Sequence, residues 1–273
     1  ELTRFIDYDI DLLSGTITFS EPVLSRDFDL NPQFIVIDYE VDALSGGEWN
    51  AGVRAAWTDP SGKIRVGATA ITDKGDEART NIGALDLRAR IGNNTEVRAE
   101  VAMSRSEGDT ATGYLLEVEH RAGPVDLLAY VRSLDSDYGV GQQSGAELGR
   151  RKIGVDARYQ ASEKVTIVTS FWRDDSLADS SRRNAAQVQG TYRTGDTDLR
   201  LGVSHFNDRL ADGTTNTSTV LEGGVTQRLF DNKLELSATS SIALDQTESI
   251  DLPTRHRLAA RYAITPDVKL VGL

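Results

Sequence analysis

The chain has 273 residues, of which 39% are hydrophobic and 26% are charged, and its formal net charge is −12. It contains no run of about 18 apolar residues, which excludes a membrane-spanning helix. The acidic balance argues against a nucleic-acid-binding protein, because such a protein needs a basic surface. The chain has no cysteine, so a disulfide framework and thiolate sites are also excluded.

The first part of the chain reads differently from the rest. Phe5 to Leu12, Thr16 to Phe19 and Phe34 to Val41 have extended, apolar-rich sequences, and Ser14-Gly15 is a turn signal between the first two. The first two segments therefore predict a β-hairpin. We expect a small periplasmic β-unit or lead-in over 1–31, with Phe34 to Val41 as the first strand of a larger domain over 32–273.

From Trp49 onward the sequence alternates with a period of two residues. In Lys152 to Tyr159, for example, Ile153 and Val155 fall on one face and Asp156 and Arg158 on the other. Successive side chains of a strand point to opposite faces, so each such segment predicts a strand with one apolar and one polar side. The predicted strands are 51–58, 63–72, 80–91, 95–105, 113–121, 125–134, 150–160, 164–173, 184–193, 197–207, 218–230, 233–245, 254–264 and 268–273.

The connections between these strands alternate in length. Short turns such as Thr194-Gly195-Asp196 alternate with longer links such as Glu107 to Thr112 and Asp174 to Arg183. This pattern is typical of outer-membrane barrels, whose strands of about 9–11 residues are joined by short periplasmic turns and longer extracellular loops. The predicted fold is therefore all-β, an antiparallel up-and-down meander forming part of a transmembrane β-barrel. The alternative is a soluble β-sheet with one face in water.

The alternation also predicts which residues face lipid and which face the lumen. Lipid-facing candidates are Leu85, Leu87, Ala89, Ile91, Val97, Ala99, Val101, Val125, Leu127, Ala129, Val131, Leu234, Leu236 and Ala238. Pore-lining candidates are Asp86, Arg88, Arg90, Arg98, Glu100, Asp126, Arg132, Asp156, Arg158 and Glu235. Mixed charges on the inner face suit a hydrated lumen with weak ion selectivity.

Two further features carry open alternatives. The longest link, Asp135 to Gly149, is expected to be a plain solvated loop, and the alternatives are a constriction folded inward or a contact surface folded outward. Aromatic residues fall near strand ends, where they would mark the membrane interfaces or serve as packing residues. They are Trp57, Tyr114, Tyr138, Tyr159, Trp172, Tyr192 and Tyr262.

The sequence carries little that suggests catalysis. Asp7, Asp9 and Asp11 share a predicted strand face and form a weak calcium-site candidate, although the glycine and distal glutamate of an EF-hand loop are missing. The three histidines are scattered, without metal-ligand spacing, and no G-x-S-x-G motif occurs. We expect no enzyme activity and no cofactor.

Several stretches resemble a known class of protein. The junction before the barrel in very large proteobacterial outer-membrane proteins is similar to LTRFIDYDIDLLSGTITF and to the following FIVIDYEVD and NAGVRAAW. The barrel strands of those proteins are similar to DRLADG, VTQRLFDNKLELSA and PTRHRLAARYAI. The resemblance implies extracytoplasmic repeat domains upstream and more barrel strands downstream. The final strand, which stops at Leu273 without a terminal aromatic residue, leads to the same expectation of a truncated chain.

The expected function is thus an outer-membrane β-barrel segment that anchors or exports a large surface protein. Its partners would be outer-membrane lipid and envelope or surface proteins. One alternative is a soluble structural or adhesin-like envelope domain. A second is an uptake receptor barrel, which would need a plug domain and an energy-coupling segment.

Overall fold

The computed structural model describes residues 8–11, 16–19, 49–74, 79–106, 108–139, 148–245, 254–265 and 268–272. All regular structure in these ranges is β-strand. The strands are β1 Tyr8–Asp11, β2 Thr16–Phe19, β3 Ala51–Thr58, β4 Ile64–Lys74, β5 Arg79–Ile91, β6 Thr95–Ser106, β7 Asp109–Ala122, β8 Val125–Leu134, β9 Arg150–Gln160, β10 Val165–Ser176, β11 Arg182–Thr194, β12 Thr197–Arg209, β13 Thr215–Leu229, β14 Leu234–Ala243, β15 Arg255–Ala263 and β16 Lys269–Gly272.

The strands form two sheets. β1 and β2 pair antiparallel, with Tyr8 opposite Phe19, which confirms the predicted N-terminal hairpin. β3 to β16 form one fourteen-stranded sheet in which every strand lies beside its neighbours in sequence. This is the predicted antiparallel meander, with the fourteen strands predicted from residue 51 onward. Phe34 to Val41 lies outside the described residues, so the boundary between 1–31 and 32–273 stays a prediction.

The two rims of the large sheet differ less than the sequence predicts. One edge, the short-turn rim, carries connections such as 59–63 and 195–196. The other, the long-loop rim, carries 135–149 and 244–254. The predicted long link Glu107 to Thr112 is wrong. β7 begins at Asp109, directly opposite Ser106, because Gly108 adopts a φ of 103° that lets the chain turn sharply.

The turns at the short-turn rim follow their sequence signals. In the turn 59–63, Asp59 accepts hydrogen bonds from the backbone N–H of Ile64 at 2.7 Å and of Ser61 at 3.1 Å. These bonds hold the pKa of the Asp59 carboxyl below its usual range, because they stabilise the ionised form. Gly62 closes the turn with a φ of 68°, a conformation that other residues adopt at a cost.

The strand pairing is staggered across the sheet. We follow the row of residues that pair directly across neighbouring strands, starting from Trp57 near the short-turn end of β3. This row passes through Leu116 on β7 and Ile153 on β9, and it reaches Thr217 near the long-loop end of β13. Such a stagger accompanies strand tilt in barrels. Within the described residues β3 and β16 do not pair with each other, so the sheet is open there.

The two faces of the sheet differ in exposure. On β7, Leu116 and Val118 are 43% and 37% exposed. The side chains of Glu117 and Glu119, which point the other way, are 17% and 16% exposed. We call the side of Leu116 the apolar face and the side of Glu117 the polar face. The glutamates on the polar face are covered by Arg98 and Arg121, which pair with them, whereas the leucine and valine side chains stand uncovered. No helix in the described part of the chain is long and apolar enough to cross a membrane.

Candidate functional site: the polar face

The structure places all ten predicted pore-lining residues on the polar face. Residues of this face pair with one another across neighbouring strands: Asp86 lies opposite Glu100, Asp126 lies opposite Arg158, and Glu235 lies opposite Arg228. The fourteen lipid-facing candidates lie on the apolar face by the same register. The arrangement establishes that these residues share one surface.

The largest ion-pair cluster on this face is centred on Glu96. Its carboxylate lies 2.7 Å from Arg88, 3.4 Å from Arg90 and 2.7 Å from Arg98. Arg98 continues the network to Glu119 at 3.2 Å. The three arginines belong to the predicted pore-lining set, whereas Glu96 and Glu119 do not. Their positions in the period-two pattern of β6 and β7 were the signal that could have found them.

A glycine allows an ion pair to form across an intervening strand. Arg54 on β3 and Asp86 on β5 meet at 2.6 Å over Gly67 of β4. A Cβ atom at Gly67 would overlap the Asp86 carboxylate and stand 2.6 Å from the Arg54 guanidinium. A larger residue at this position would displace the ends of the two side chains that cross above it.

Carboxylates on β8 and β9 are also held by partners. Arg158 lies 3.2 Å from Asp126. Asp156 is only 7% exposed and accepts a hydrogen bond from the Ser170 hydroxyl at 2.6 Å. Burial of a carboxylate costs free energy unless hydrogen bonds or ion pairs compensate it. These contacts fix the charged groups in place on the polar face.

Aromatic residues form a row on the polar face that the sequence did not reveal. Tyr130, Trp172 and Phe206 lie on alternate strands, β8, β10 and β12, and the register separates them by Gly154 and Ala185. Each ring has a cation over it: Arg132 lies 5.9 Å from the Tyr130 ring centroid, Lys152 lies 4.3 Å from that of Trp172, and Arg183 lies 5.8 Å from that of Phe206. Such cation–π contacts stabilise both partners.

The start of the longest loop folds inward over this face. Tyr138 is 8% exposed and packs with Ala102 and Ala111, which lie on the polar face of β6 and β7. The Gly139 N–H donates to the Ser104 hydroxyl at 2.9 Å. Burial raises the pKa of the Tyr138 hydroxyl, and the nearby Glu100 carboxylate raises it further. Tyr138 and Gly139 therefore lie against the polar face rather than in solvent, whereas Ser136 and Asp137 are exposed as a solvated loop would be. Residues 140–147 lie outside the described residues, so the constriction folded inward stays a prediction.

The aromatic candidates divide between the faces. Trp57, Tyr159, Tyr192 and Tyr262 lie on the apolar face close to the short-turn rim, as an interface girdle would. Trp172 and Tyr138 lie instead on the polar face, so for these two the packing interpretation is correct. Tyr114 lies on the apolar face away from that rim.

The remaining candidates bring no chemistry together. Asp9 and Asp11 lie in β1, but Asp7 lies outside the described residues, so the calcium site stays a prediction. Elsewhere in the described ranges no group of three His, Asp or Glu side chains could hold a metal. Each histidine instead contacts a hydroxyl on the neighbouring strand: His120 with Thr95 at 2.8 Å, His205 with Thr219 at 3.0 Å, and His256 with Ser240 at 2.9 Å.

Comparison with protein-family models gives no match, and comparison with curated proteins gives none either. Among solved structures, a bacterial polysaccharide outer membrane secretin is similar to this chain. The two are 12% identical, superpose with a TM-score of 0.47, and overlap over 78% of each chain.

Proposed function

We propose that this chain contributes its fourteen-stranded sheet to an outer-membrane β-barrel that anchors or exports a larger surface protein. In this proposal the apolar face contacts lipid and the polar face borders a hydrated interior. The observation that carries it is the reversed exposure of the two faces, in which leucine and valine side chains are exposed while the charged side chains are half-buried.

A lipid environment accounts for this reversal energetically. Removing one leucine or valine side chain from water contributes about 1.5–3 kcal/mol, and the exposed apolar side chains continue from Val53 on β3 to Leu270 on β16. Lipid can cover such a surface without disturbing the strand pairing. The hydrocarbon region also requires paired backbone groups, so β3 and β16 would pair with further strands or with each other in the complete barrel.

The polar face supports an interior with weak ion selectivity. Acidic and basic side chains alternate and pair there, as around Glu96, so neither sign of charge dominates the surface. Tyr138 narrows the interior near the long-loop rim. We place that rim outside the cell, because the longer connections of bacterial barrels are extracellular. An anchoring role does not need an open interior, whereas export does.

The soluble envelope or adhesin-like domain remains the alternative from another class. It would need another protein surface to cover the apolar face, and its polar face would stand in water. The uptake-receptor alternative shares the barrel and differs by requiring a plug inside it. A soluble envelope domain would be released without detergent, which distinguishes it from the proposed barrel. An uptake receptor would bind a plug domain, which the proposed barrel does not require.

The decisive experiment measures how the native full-length protein partitions between periplasm and outer membrane, and how its gel mobility changes on boiling. A membrane barrel should be extracted only with detergent and should migrate differently before and after heating. Free solubility without a mobility change would refute the proposal. Conductance in planar bilayers then tests export, since a closed barrel retains only the anchoring role.

A further inference from the structure

In the described strands, charged residues on the apolar face lie only near the long-loop rim. In the described strands they include six arginines, which we call the arginine collar: Arg79, Arg105, Arg151, Arg173, Arg182 and Arg209. The only carboxylate on this face of the described strands is that of Asp175. The opposite end of the same face carries the tyrosines and the tryptophan described above. The two rims of the apolar face are therefore chemically different.

The centre of the collar has more cations than its carboxylate can balance. Asp175 is 8% exposed, and Arg182 Nε and Arg173 Nη2 lie 2.7 Å and 2.9 Å from its Oδ1. Arg151 Nη2 lies 3.7 Å from its Oδ2. Three guanidinium groups therefore surround one carboxylate, and the cluster keeps an excess of two positive charges.

The register adds a like-charge pair to this cluster. One row across the sheet reads Arg151, Asp175, Arg182 and Arg209, and Arg182 and Arg209 stand directly opposite each other. Like charges at opposed positions destabilise a sheet. Repulsion between them would be relieved by an anion bound outside the sheet, at the edge of the apolar face.

We infer that the arginine collar binds the phosphate groups of lipid headgroups in the leaflet on the long-loop side, an inference that rests on the proposed function. Guanidinium groups bind phosphate oxygens in a bidentate manner. The apolar residues below the collar, such as Phe171 and Val188, would contact the acyl chains of the same lipid. The ligand class is thus a phosphorylated, acylated lipid rather than a free anion.

The test titrates three probes against the full-length protein in detergent micelles. They are a bisphosphorylated acyl-glucosamine glycolipid, the same glycolipid after enzymatic removal of its phosphates, and inorganic phosphate. The variant is Arg182→Gln with Arg209→Gln. The matched control is Arg193→Gln with Arg261→Gln, two exposed arginines on the polar face near the other rim. A heat-dependent shift in gel mobility verifies that each variant is folded.

The phosphorylated glycolipid should bind the native protein and the control equally well. We expect the collar variant to bind it roughly 25-fold more weakly, or about fivefold per arginine, the factor for about 1 kcal/mol per basic residue near an anionic lipid surface. If that variant does not fold, Arg105→Gln with Arg209→Gln leaves all three contacts to Asp175 intact and should show a similar loss.

Three results would overturn the inference. They are equal binding of the dephosphorylated glycolipid, full competition by millimolar inorganic phosphate, and an equal loss in the control variant. A protein that is soluble without detergent and shows no mobility shift would instead refute the proposed function itself. A folded, detergent-dependent barrel that does not discriminate between the glycolipids would refute only the role of the collar.

Discussion

The two faces of one sheet can be compared residue by residue, because each strand contributes to both. On β12, Leu201 is 64% exposed on the apolar face, and its neighbour Arg200 points to the polar face. The register places Leu201 between two glycines, Gly190 and Gly223, so no side chain on either adjacent strand covers it. In water this arrangement would be unfavourable, whereas the same exposure in lipid is favourable. The comparison therefore supports the proposal that lipid covers the apolar face.

The largest effect should come from placing a charge on the apolar face. Leu201→Arg should lower the free energy of unfolding in lipid vesicles by about 2–4 kcal/mol, the cost of arginine near the middle of a lipid-facing strand. The matched control, Ser237→Arg, adds arginine to the polar face beside Glu235 and should cost less than about 1 kcal/mol. Denaturant unfolding followed by tryptophan fluorescence measures both. Equal costs at the two positions would show that the apolar face does not contact lipid.

The second effect concerns the loop that folds onto the polar face. Tyr138→Ala should release the loop at a cost of at most about 3 kcal/mol, the lower end for loss of a buried aromatic side chain. If the interior conducts, single-channel conductance should rise, because the ring no longer occupies the polar face. Tyr138→Phe keeps the packing against Ala102 and Ala111 and should leave conductance unchanged. Unchanged conductance in a conducting Tyr138→Ala variant would show that the ring does not narrow the interior.

The sequence predicted the strands of this fold well, because the period-two pattern is a local property. The sequence did not predict the contacts that join residues distant from one another along the chain. Nothing near Tyr138 indicates that Gly139 hydrogen-bonds to Ser104 on β6. The row of Tyr130, Trp172 and Phe206 was missed for the same reason, since it exists only in the register between strands. The Thr-rich start of β7 has the sequence of a loop, because a polar alternation near a rim has little apolar signal.

A third effect tests the packing of that aromatic row. A Cβ atom at Gly154 would stand 2.5 Å from the Tyr130 hydroxyl oxygen and 2.9 Å from Trp172 Cβ. Gly154→Ala should therefore cost about 1–3 kcal/mol, as overpacking does. Gly83→Ala is the matched control, because nothing lies within 4 Å of the added atom.

A double variant makes the cause of this loss specific. Tyr130→Leu should recover part of the stability that Gly154→Ala removes, since the shorter side chain does not reach over β9. Denaturant unfolding of the two single variants and of the double variant gives the coupling between the positions. Additive losses would show that the ring does not lie over Gly154.

The smallest effect belongs to a group that lies on neither face. Asp179 occupies the turn between β10 and β11, where its Oδ1 accepts a hydrogen bond from the Ser181 N–H at 3.0 Å. Hydrogen bonding with the Ser176 hydroxyl, followed by that with Ser181, lowers the pKa of Asp179 to about 2. A carboxyl with a lowered pKa stabilises the folded state above its unfolded pKa, and this contribution is lost as the pH falls through the folded value. Stability should therefore fall between about pH 4 and pH 2 less steeply in Asp179→Asn than in the native protein.

The solvent dependence of this last effect sharpens the comparison of the faces. Because Asp179 stands at the long-loop rim in water, the pH difference between the native protein and Asp179→Asn should be the same in detergent micelles and in lipid vesicles. The cost of Leu201→Arg should instead depend on the thickness and composition of the bilayer, since that position contacts the hydrocarbon. Chemical denaturation of both variants in vesicles with two acyl-chain lengths measures the two dependences together. If acyl-chain length changed the acid response of Asp179→Asn but not the cost of Leu201→Arg, then Asp179 rather than Leu201 would be the residue in contact with the hydrocarbon.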